Sequence, residues 1–336
     1  MDITEICCPN CHAYDIGKHT AYETKNNGER FIYKCSRCGE YFSETKNTPA
    51  EGLRKPLSVV SDVLNARTEG LSLNACSRVF SLSKNTIIGW ERRFAALMPT
   101  LMLYALMHNF LQMMIEGDEL YTKVEKNREA SESRGWTIIL MERASRFIWE
   151  LRCGEKDRQL FEGAIRIICE LIENTDDISL ITDGERRYGQ ILFEACNELV
   201  RNGKPGRPRK TLRKGVKARV KNKGSQAHKK GPKRPKYQAP CPEHPETVQN
   251  IENKDIHANH VESLNGSLRR RNSAYRRRTN TYAKSVGGLQ RTLDIYWIIH
   301  NFVRSHFTTG NVPAAALGII GRGLSLTQLL MVQKAA

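Results

Sequence analysis

Two Cys-x-x-Cys pairs near the start, Cys8-Pro9-Asn10-Cys11 and Cys35-Ser36-Arg37-Cys38-Gly39, restrict what this chain can fold into more than any other feature. Each pair can present two thiolates from one tight turn, and two such knuckles close a tetrahedral zinc site. The ion then contributes folding energy that so short a segment lacks. Phe31-Ile32-Tyr33 reads as a strand entering the second knuckle, so residues 1–48 are expected to form a zinc ribbon around Cys8, Cys11, Cys35 and Cys38. Cys7 competes with Cys8, but the two-residue gap before Cys11 favours Cys8. Four thiolates leave no open coordination position, so this Zn2+ is structural rather than catalytic.

Charge narrows the partners. Lys and Arg number 53 against 36 Asp and Glu, a formal net charge of +17 over 336 residues. An excess of that size calls for a polyanion, and nucleic acid suits it better than a membrane surface because no basic amphipathic helix stands out. At 40% hydrophobic residues the chain can bury more than one core. Ten cysteines, with no secretory leader in MDITEICCPNC, fit a reducing cytoplasm and a metal site better than a disulfide framework. Residues 97–115 carry no formal charge, yet Pro99, His108, Asn109 and Gln112 interrupt them. A connecting helix and a buried strand are expected there, not a membrane span.

Residues 50–98 change to helical spacing. Ser72 to Phe80 has apolar residues at helical intervals, Ser81-Leu82-Ser83 makes a turn, and Lys84 begins a second helix. This is a helix-turn-helix pattern, in which Ser83 caps the second helix and Lys84, Asn85 and Thr86 meet base edges. Leu82, Ile87 and Trp90 would pack inward. A plain helical hairpin without DNA contact is the alternative.

From residue 99 onward strand-like and helix-like runs alternate. Residues 110–115, 135–140 and 147–151 read as a meander of three strands. A helix at 157–172, a short strand at 178–181 and a helix at 185–200 follow, which makes the sheet mixed. Asp118 lies on or just past the first strand, with Glu116 and Glu119 as rivals, and Asp183 directly follows the fourth. Carboxylates at neighbouring strand ends can share a metal ion, although Asp-Gly after a strand is also a common turn.

Between residues 201 and 240 there is no Asp or Glu, and 16 residues are Lys or Arg. Rich in Gly and Pro and poor in aliphatics, this insert is expected to be disordered until a polyanion orders it. Gly206-Arg207-Pro208, followed by Arg209-Lys210, resembles the core of an AT-hook that enters a narrow minor groove; a non-specific phosphate-neutralising tail is the competing reading.

Residues 257–278, HANHVESLNGSLRRRNSAYRRR, set one carboxylate, Glu262, among His257, His260, Arg269, Arg270, Arg271, Arg276, Arg277 and Arg278. As a helix, the stretch puts Glu262 and Arg269 two turns apart on one face. That geometry suits a metal-binding carboxylate beside a cation that grips a phosphate. His260 reads as a helix-start or substrate-contacting residue. Cys241-Pro-Glu-His244 with His257-Ala-Asn-His260 offers a second set of zinc-like pairs, of a kind that chance readily produces. Residues 286–306 read as an amphipathic helix covering the sheet. The tail beyond Thr308 shows no chemistry.

Taken together, these motifs resemble transposases of the insertion sequence one family. The most specific are Gly117-Asp118-Glu119-Leu120, Ile181-Thr182-Asp183-Gly184 and the stretch from His260 to Arg270. The resemblance implies a multidomain α+β protein: zinc ribbon at 1–48, helix-turn-helix at 50–98, and at 99–336 a ribonuclease H-like mixed sheet with flanking helices, interrupted by the basic insert 201–240. It maps an Asp, Asp, Glu triad onto Asp118, Asp183 and Glu262. These three would hold two Mg2+ ions, for which Mn2+ can substitute, on either side of the scissile phosphate. Arg269 matches the basic residue that related enzymes carry two helical turns after the Glu.

The implied activity is metal-dependent strand cleavage followed by strand transfer on double-stranded DNA, both element ends and target. The ribbon and the helix-turn-helix would recognise the terminal repeats. Arg207, Arg209, Lys210, Arg269 and Arg270 would hold flanking DNA. Joining two ends implies a homodimer or larger synaptic assembly, and the location expected is cytoplasmic, at a prokaryotic nucleoid. A catalytically inactive or domesticated DNA-binding regulator and a ribonuclease H-like cellular nuclease are the alternatives. The long basic insert departs from compact members and leaves the position of a fifth strand open.

Overall fold

The computed structural model describes residues 2–126, 129–201, 206–222, 235–276 and 280–335. Three strands, β1 (Ile16–Thr24), β2 (Gly28–Cys35) and β3 (Tyr41–Ser43), precede helices α1 (Leu57–Thr68), α2 (Leu73–Val79), α3 (Lys84–Ala95) and α4 (Met98–Leu106). Next come β4 (Phe110–Tyr121), β5 (Trp136–Glu142), β6 (Ile148–Gly154), α5 (Arg158–Ile172), β7 (Thr175–Asp183) and α6 (Arg186–Ala195). Short strands β8 (Asn197–Val200), β9 (Arg209–Leu212), β10 (Val216–Lys221) and β11 (Tyr237–Gln238) follow. Helices α7 (Asn259–Arg271), α8 (Val286–Phe302), α9 (Pro313–Ala316) and α10 (Leu326–Leu330) end the order. The chain divides into two compact units, Met1–Ala105 with Arg270–Thr281 and Arg291–Ala336, and Leu106–Arg269 with Tyr282–Gln290.

In the first unit the loop between the two knuckles folds back as an antiparallel hairpin of β1 and β2, with β3 paired on β2. Ser72 and Ser83 cap α2 and α3, their hydroxyls accepting from the amides of Ala75 (3.2 Å) and Thr86 (3.1 Å). Each satisfies one of the amides that a helix start leaves open. Ile87, Trp90 and Phe94 are buried at helical spacing, and Leu82 is half-buried. Fully buried Glu91 is neutralised on both sides, by Arg67 at 2.6 Å and Arg291 at 3.0 Å. The C-terminal tail fastens onto the ribbon: the Gln333 amide both accepts from the Cys7 N–H (2.8 Å) and donates to its carbonyl (3.1 Å).

The second unit is a six-stranded mixed sheet in the order β11-β10-β7-β4-β5-β6. Strands β4, β5 and β6 form the expected meander, antiparallel throughout. Strand β7, reached through α5, lies parallel on the other side of β4, and β10 lies parallel to β7. Buried Leu160, Phe161, Ala164, Ile165, Ile168 and Leu171 make one apolar stripe on α5, which packs against β5, β6 and β7. Residues 97–115 are the connecting helix α4 and the start of β4, and no helix among the described residues is long and apolar enough to cross a membrane.

Three expectations need correction. The helix expected over 185–200 ends at Ala195, where the Asn197 amide donates to the Phe193 and Glu194 carbonyls before the chain enters β8. The helix expected to cover the sheet divides between the two units, and only its start belongs to the sheet unit. There Gln290 bridges the Cys153 amide and the Leu151 carbonyl, while residues from Arg291 onward belong to the first unit.

The largest correction concerns the basic insert. It supplies β9, β10 and β11, and β10 joins the mixed sheet between β7 and β11. Val216, Ala218 and Val220 alternate along β10, and two of its three cations, Lys217 and Arg219, are buried with partners. Lys217 pairs with Asp177 and bonds Asn250 Oδ1 at 2.7 Å, while Arg219 pairs with Glu243 and bonds Gln249 Oε1 at 2.7 Å. Buried charge is tolerable because each cation meets a carboxylate and further hydrogen bonds. The rest of the insert's basic run, 202–205 and 223–234, lies outside the described residues.

Candidate functional site

The ribbon gathers its four cysteines as expected. Cys8 Sγ lies 3.5 Å from Cys38 Sγ and Cys11 Sγ 3.6 Å from Cys35 Sγ, and all four sulfurs lie within 4.8 Å of one another. A tetrahedral ion with Zn–S bonds of about 2.3 Å needs sulfur–sulfur edges of about 3.8 Å, so the set fits zinc. The knuckles share one construction. In each, the residue four past the first cysteine, His12 (φ 57°) and Gly39 (φ 75°), takes the left-handed conformation and donates its amide back to that cysteine's carbonyl. Without an ion the thiols compete for charge. The Glu40 amide and the neighbouring thiols bring Cys38 down to about 7, whereas Cys11, despite the Ala13 amide, is pushed up to about 12 by desolvation and its three neighbours. Cys7 stays outside the cluster.

Two of the three acids sit on neighbouring strands, Asp118 on β4 and Asp183 on β7, and the third, Glu262, on α7. Gly117 on β4 is in register with Thr182 on β7, so Asp118 and Asp183 follow one step later on adjacent parallel strands. A β-carbon on Gly117 would lie 3.1 Å from Leu140 and Thr182 side-chain carbons and 3.7 Å from Tyr188, which leaves glycine the residue that fits against α6. Strand alternation then turns Glu116 and Asp118 to the opposite face, toward α7. There Asn265 Nδ2 donates to Asp118 Oδ2 at 2.6 Å. Asn265 is three residues beyond Glu262, hence on the same side of α7. Glu262 is exposed, and Asp118 and Asp183 are half-buried.

Desolvation lifts the Asp118 carboxyl to about 6, and the charges of Glu119, Asp183 and Glu262 add to the rise against an opposing hydrogen bond from the Glu119 amide. The carboxyl therefore feels all of its acidic neighbours. Unlike the cysteines, Asp118, Asp183 and Glu262 do not form a set with ligand atoms all within 4.8 Å. As hard oxygen donors around a desolvated negative charge, the three acids fit a hard divalent cation.

A second set, Glu116, His257 and His260, does bring ligand atoms within 4.8 Å and could hold a metal ion. Glu116 is fully buried, and both its oxygens are already engaged. Oε1 accepts from Arg143 Nε (2.7 Å) and pairs with His260 Nδ1 (2.6 Å), while Oε2 accepts from the His260 and Val261 amides (3.0 Å each). Burial alone would raise this carboxyl, but those hydrogen bonds and the Arg143 charge hold it below the usual range. The other Cys/His pair does not join in: Cys241 Sγ donates to the Gly189 carbonyl at 3.1 Å and His244 sits 3.7 Å from Glu198.

Of the residues expected to contact DNA, Lys84 and Asn85 are exposed at the start of α3, while Thr86 is half-buried with its hydroxyl 2.9 Å from that of Ser83. Arg207, Arg209, Lys210 and Arg270 are exposed and Arg269 is half-buried. Arg209 and Lys210 are held in a ladder with Val200 and Leu199 rather than in a free arm. Arg277 and Arg278 lie outside the described residues. Asn265 and the engagement of Glu116 are site features that residue patterns missed; the signal for Asn265 was a polar residue flanked by Leu264 and Leu268 on the buried side of α7. No model of a known protein family matches the chain, and no curated protein is significantly similar to it.

Proposed function

We propose that this protein is a metal-dependent DNA transposase resembling those of the insertion sequence one family, with a ribonuclease H-like catalytic unit. One observation carries the reading: Asp118 and Asp183 each stand one residue past the last paired position, Gly117 with Thr182, of the adjacent parallel strands β4 and β7, and Asp118 is electrostatically coupled to both Asp183 and Glu262 of α7. Support for the fold comes from three antiparallel strands extended on one side by two parallel ones. Chemistry at carboxyl-side strand ends is where such sheets carry their sites.

Asp118, Asp183 and Glu262 would hold the Mg2+ ions, which when bound neutralise phosphate charge and activate an oxygen nucleophile in in-line displacement. Asn265 keeps the Asp118 carboxylate turned toward the site. Arg269, two turns beyond Glu262, carries a cation for a flanking phosphate. No protein nucleophile is required, so the same acids serve both cleavage by water and attack by the freed 3′-hydroxyl. Lys84, Asn85 and Thr86 begin the helix that reads the element ends.

The test uses duplex DNA from the flanks of the gene, with Mg2+, comparing the native chain with Asp183→Asn. Cleavage at the flank boundary and strand transfer should fall by ~10³-fold or more in the variant, since removal of one ligand weakens transition-state charge neutralisation by roughly 4 kcal/mol. Selective binding without cleavage by the native chain would instead identify a DNA-binding regulator. Cleavage of branched DNA or RNA hybrids, with no boundary preference, would identify a nuclease.

A further inference from the structure

Glu116 stands two residues before Asp118 on the same face of β4, and nothing in the catalytic reading uses it. We propose that Glu116 is a positioning residue: a clamp from the sheet that sets the start of α7, and so the height and rotation at which Glu262 and Asn265 face Asp118. The proposal rests on the transposase reading and adds to it the device that aligns its third acid.

The geometry is that of a helix cap supplied from another element. The first intrahelical hydrogen bond of α7 is accepted by the Ala258 carbonyl, from the Glu262 amide. Ala258 thus occupies the position where Ser, Thr, Asp or Asn would ordinarily satisfy the next free amides, and it has no side-chain oxygen. Glu116 Oε2 takes over that task, accepting from the His260 and Val261 amides at 3.0 Å each. Its negative charge also faces the positive end of the helix dipole.

Arg143 completes the clamp. Its Nε donates to Glu116 Oε1 at 2.7 Å and its Nη2 to the His257 carbonyl at 2.8 Å, so one guanidinium ties the strand to the segment leading into the helix. One turn along, Asn265 bonds Asp118 at 2.6 Å, which makes a second tie between the same strand and the same helix. With both oxygens of a fully buried carboxylate occupied, Glu116 is better suited to hold the helix than to ligate an ion.

The experiment measures Mn2+ binding by calorimetry, together with kcat and DNA affinity, for the native chain, Asp118→Asn, Glu116→Ala, Glu116→Gln and Arg143→Lys. Glu116→Ala should weaken Asp118-dependent Mn2+ binding by ~10-fold or more and lower kcat by ~10²-fold while DNA affinity stays put, as expected when an orienting partner is lost. Glu116→Gln keeps a carbonyl oxygen for both amides but sets its NH2 against the Arg143 Nε–H, and should recover part of the kcat that Ala loses. Arg143→Lys keeps the charge but loses the arm to His257, and should lower kcat without lowering the melting temperature to the extent Glu116→Ala does.

Unchanged Mn2+ affinity and kcat in Glu116→Ala would overturn the proposal. So would a Gln variant no better than Ala, which would assign the effect to charge alone. If Glu116→Ala does not fold, the comparison of Gln and Arg143→Lys with the native chain decides: native kcat in Arg143→Lys overturns the clamp, and a drop supports it. Absence of Asp118-dependent Mn2+ binding in the native chain would sink the transposase reading and this role with it. Intact Asp118-dependent binding in Glu116→Ala sinks only the role of Glu116.

Discussion

The ribbon's thiols and the sheet's acids are two places where this chain concentrates cation-binding groups, and they are built in opposite ways. The sulfurs are drawn in from two identical turns, with closest separations of 3.5 and 3.6 Å, on a segment whose own buried cluster is little more than Cys8, Cys35 and Phe42. The acids sit on strands and a helix fixed by a large apolar core, and they remain spread. Where an ion contributes the folding energy, its ligands must converge; where an apolar core holds the fold, carboxylates can be kept apart.

The sharpest way to break this contrast is to remove one ligand from each. Cys35→Ser should abolish zinc binding and unfold the β1–β2 hairpin, because a structural zinc of this kind carries on the order of 10 kcal/mol of folding free energy. Metal content and amide exchange of β1 and β2 would report it. Retained zinc and protected hairpin amides would show that the thiols are not a folding site.

Asp118→Asn should do the reverse. The folded Asp118 carboxyl titrates at about 6 against a usual 3.8, so its ionisation costs the folded state, fully above pH 6 and not at all well below 3.8. At 1.36 kcal/mol per unit, the variant should be more stable than the native chain by about 3 kcal/mol at pH 7, with the gap closing as pH falls through that window. Urea unfolding at pH 7 and pH 3 measures it, and added Mg2+ should narrow the gap from the native side. Equal stability at both pH values would mean that the acids are not held under electrostatic strain.

A smaller effect sharpens the role of the basic insert. Replacing Arg207, Arg209 and Lys210 by Ala should flatten the slope of log affinity for duplex DNA against log salt by about 2 to 3, if each neutralises one phosphate. An unaltered slope would place the DNA elsewhere.

Local chemistry decided what was legible. The cysteine spacing and the capping serines at 72 and 83 act within a few residues, so the ribbon and the helix pair could be read directly. So could the strands bearing Asp118 and Asp183, because hydrophobic runs mark strands whatever their neighbours. Fold features that depend on distant partners could not. Strand β10 was hidden by counting charge along the chain, since the acids that neutralise Lys217 and Arg219 come from Asp177 and Glu243. Glu116 looked like a rival to Asp118 because the amides it accepts lie 144 and 145 residues away.

The fastening of the tail onto the ribbon has a consequence for synthesis. The Ala50 amide waits for the Leu330 carbonyl, 280 residues later, and Cys7 for Gln333. A ribosome moving at roughly 5–20 residues per second needs on the order of tens of seconds to cover that interval. Throughout that time the sheet unit can fold on the emerging chain, but the first unit cannot close. The unit begun first is therefore the last to be completed, since its Cys7 and Ala50 amides find these partners only when Leu330 and Gln333 have been added.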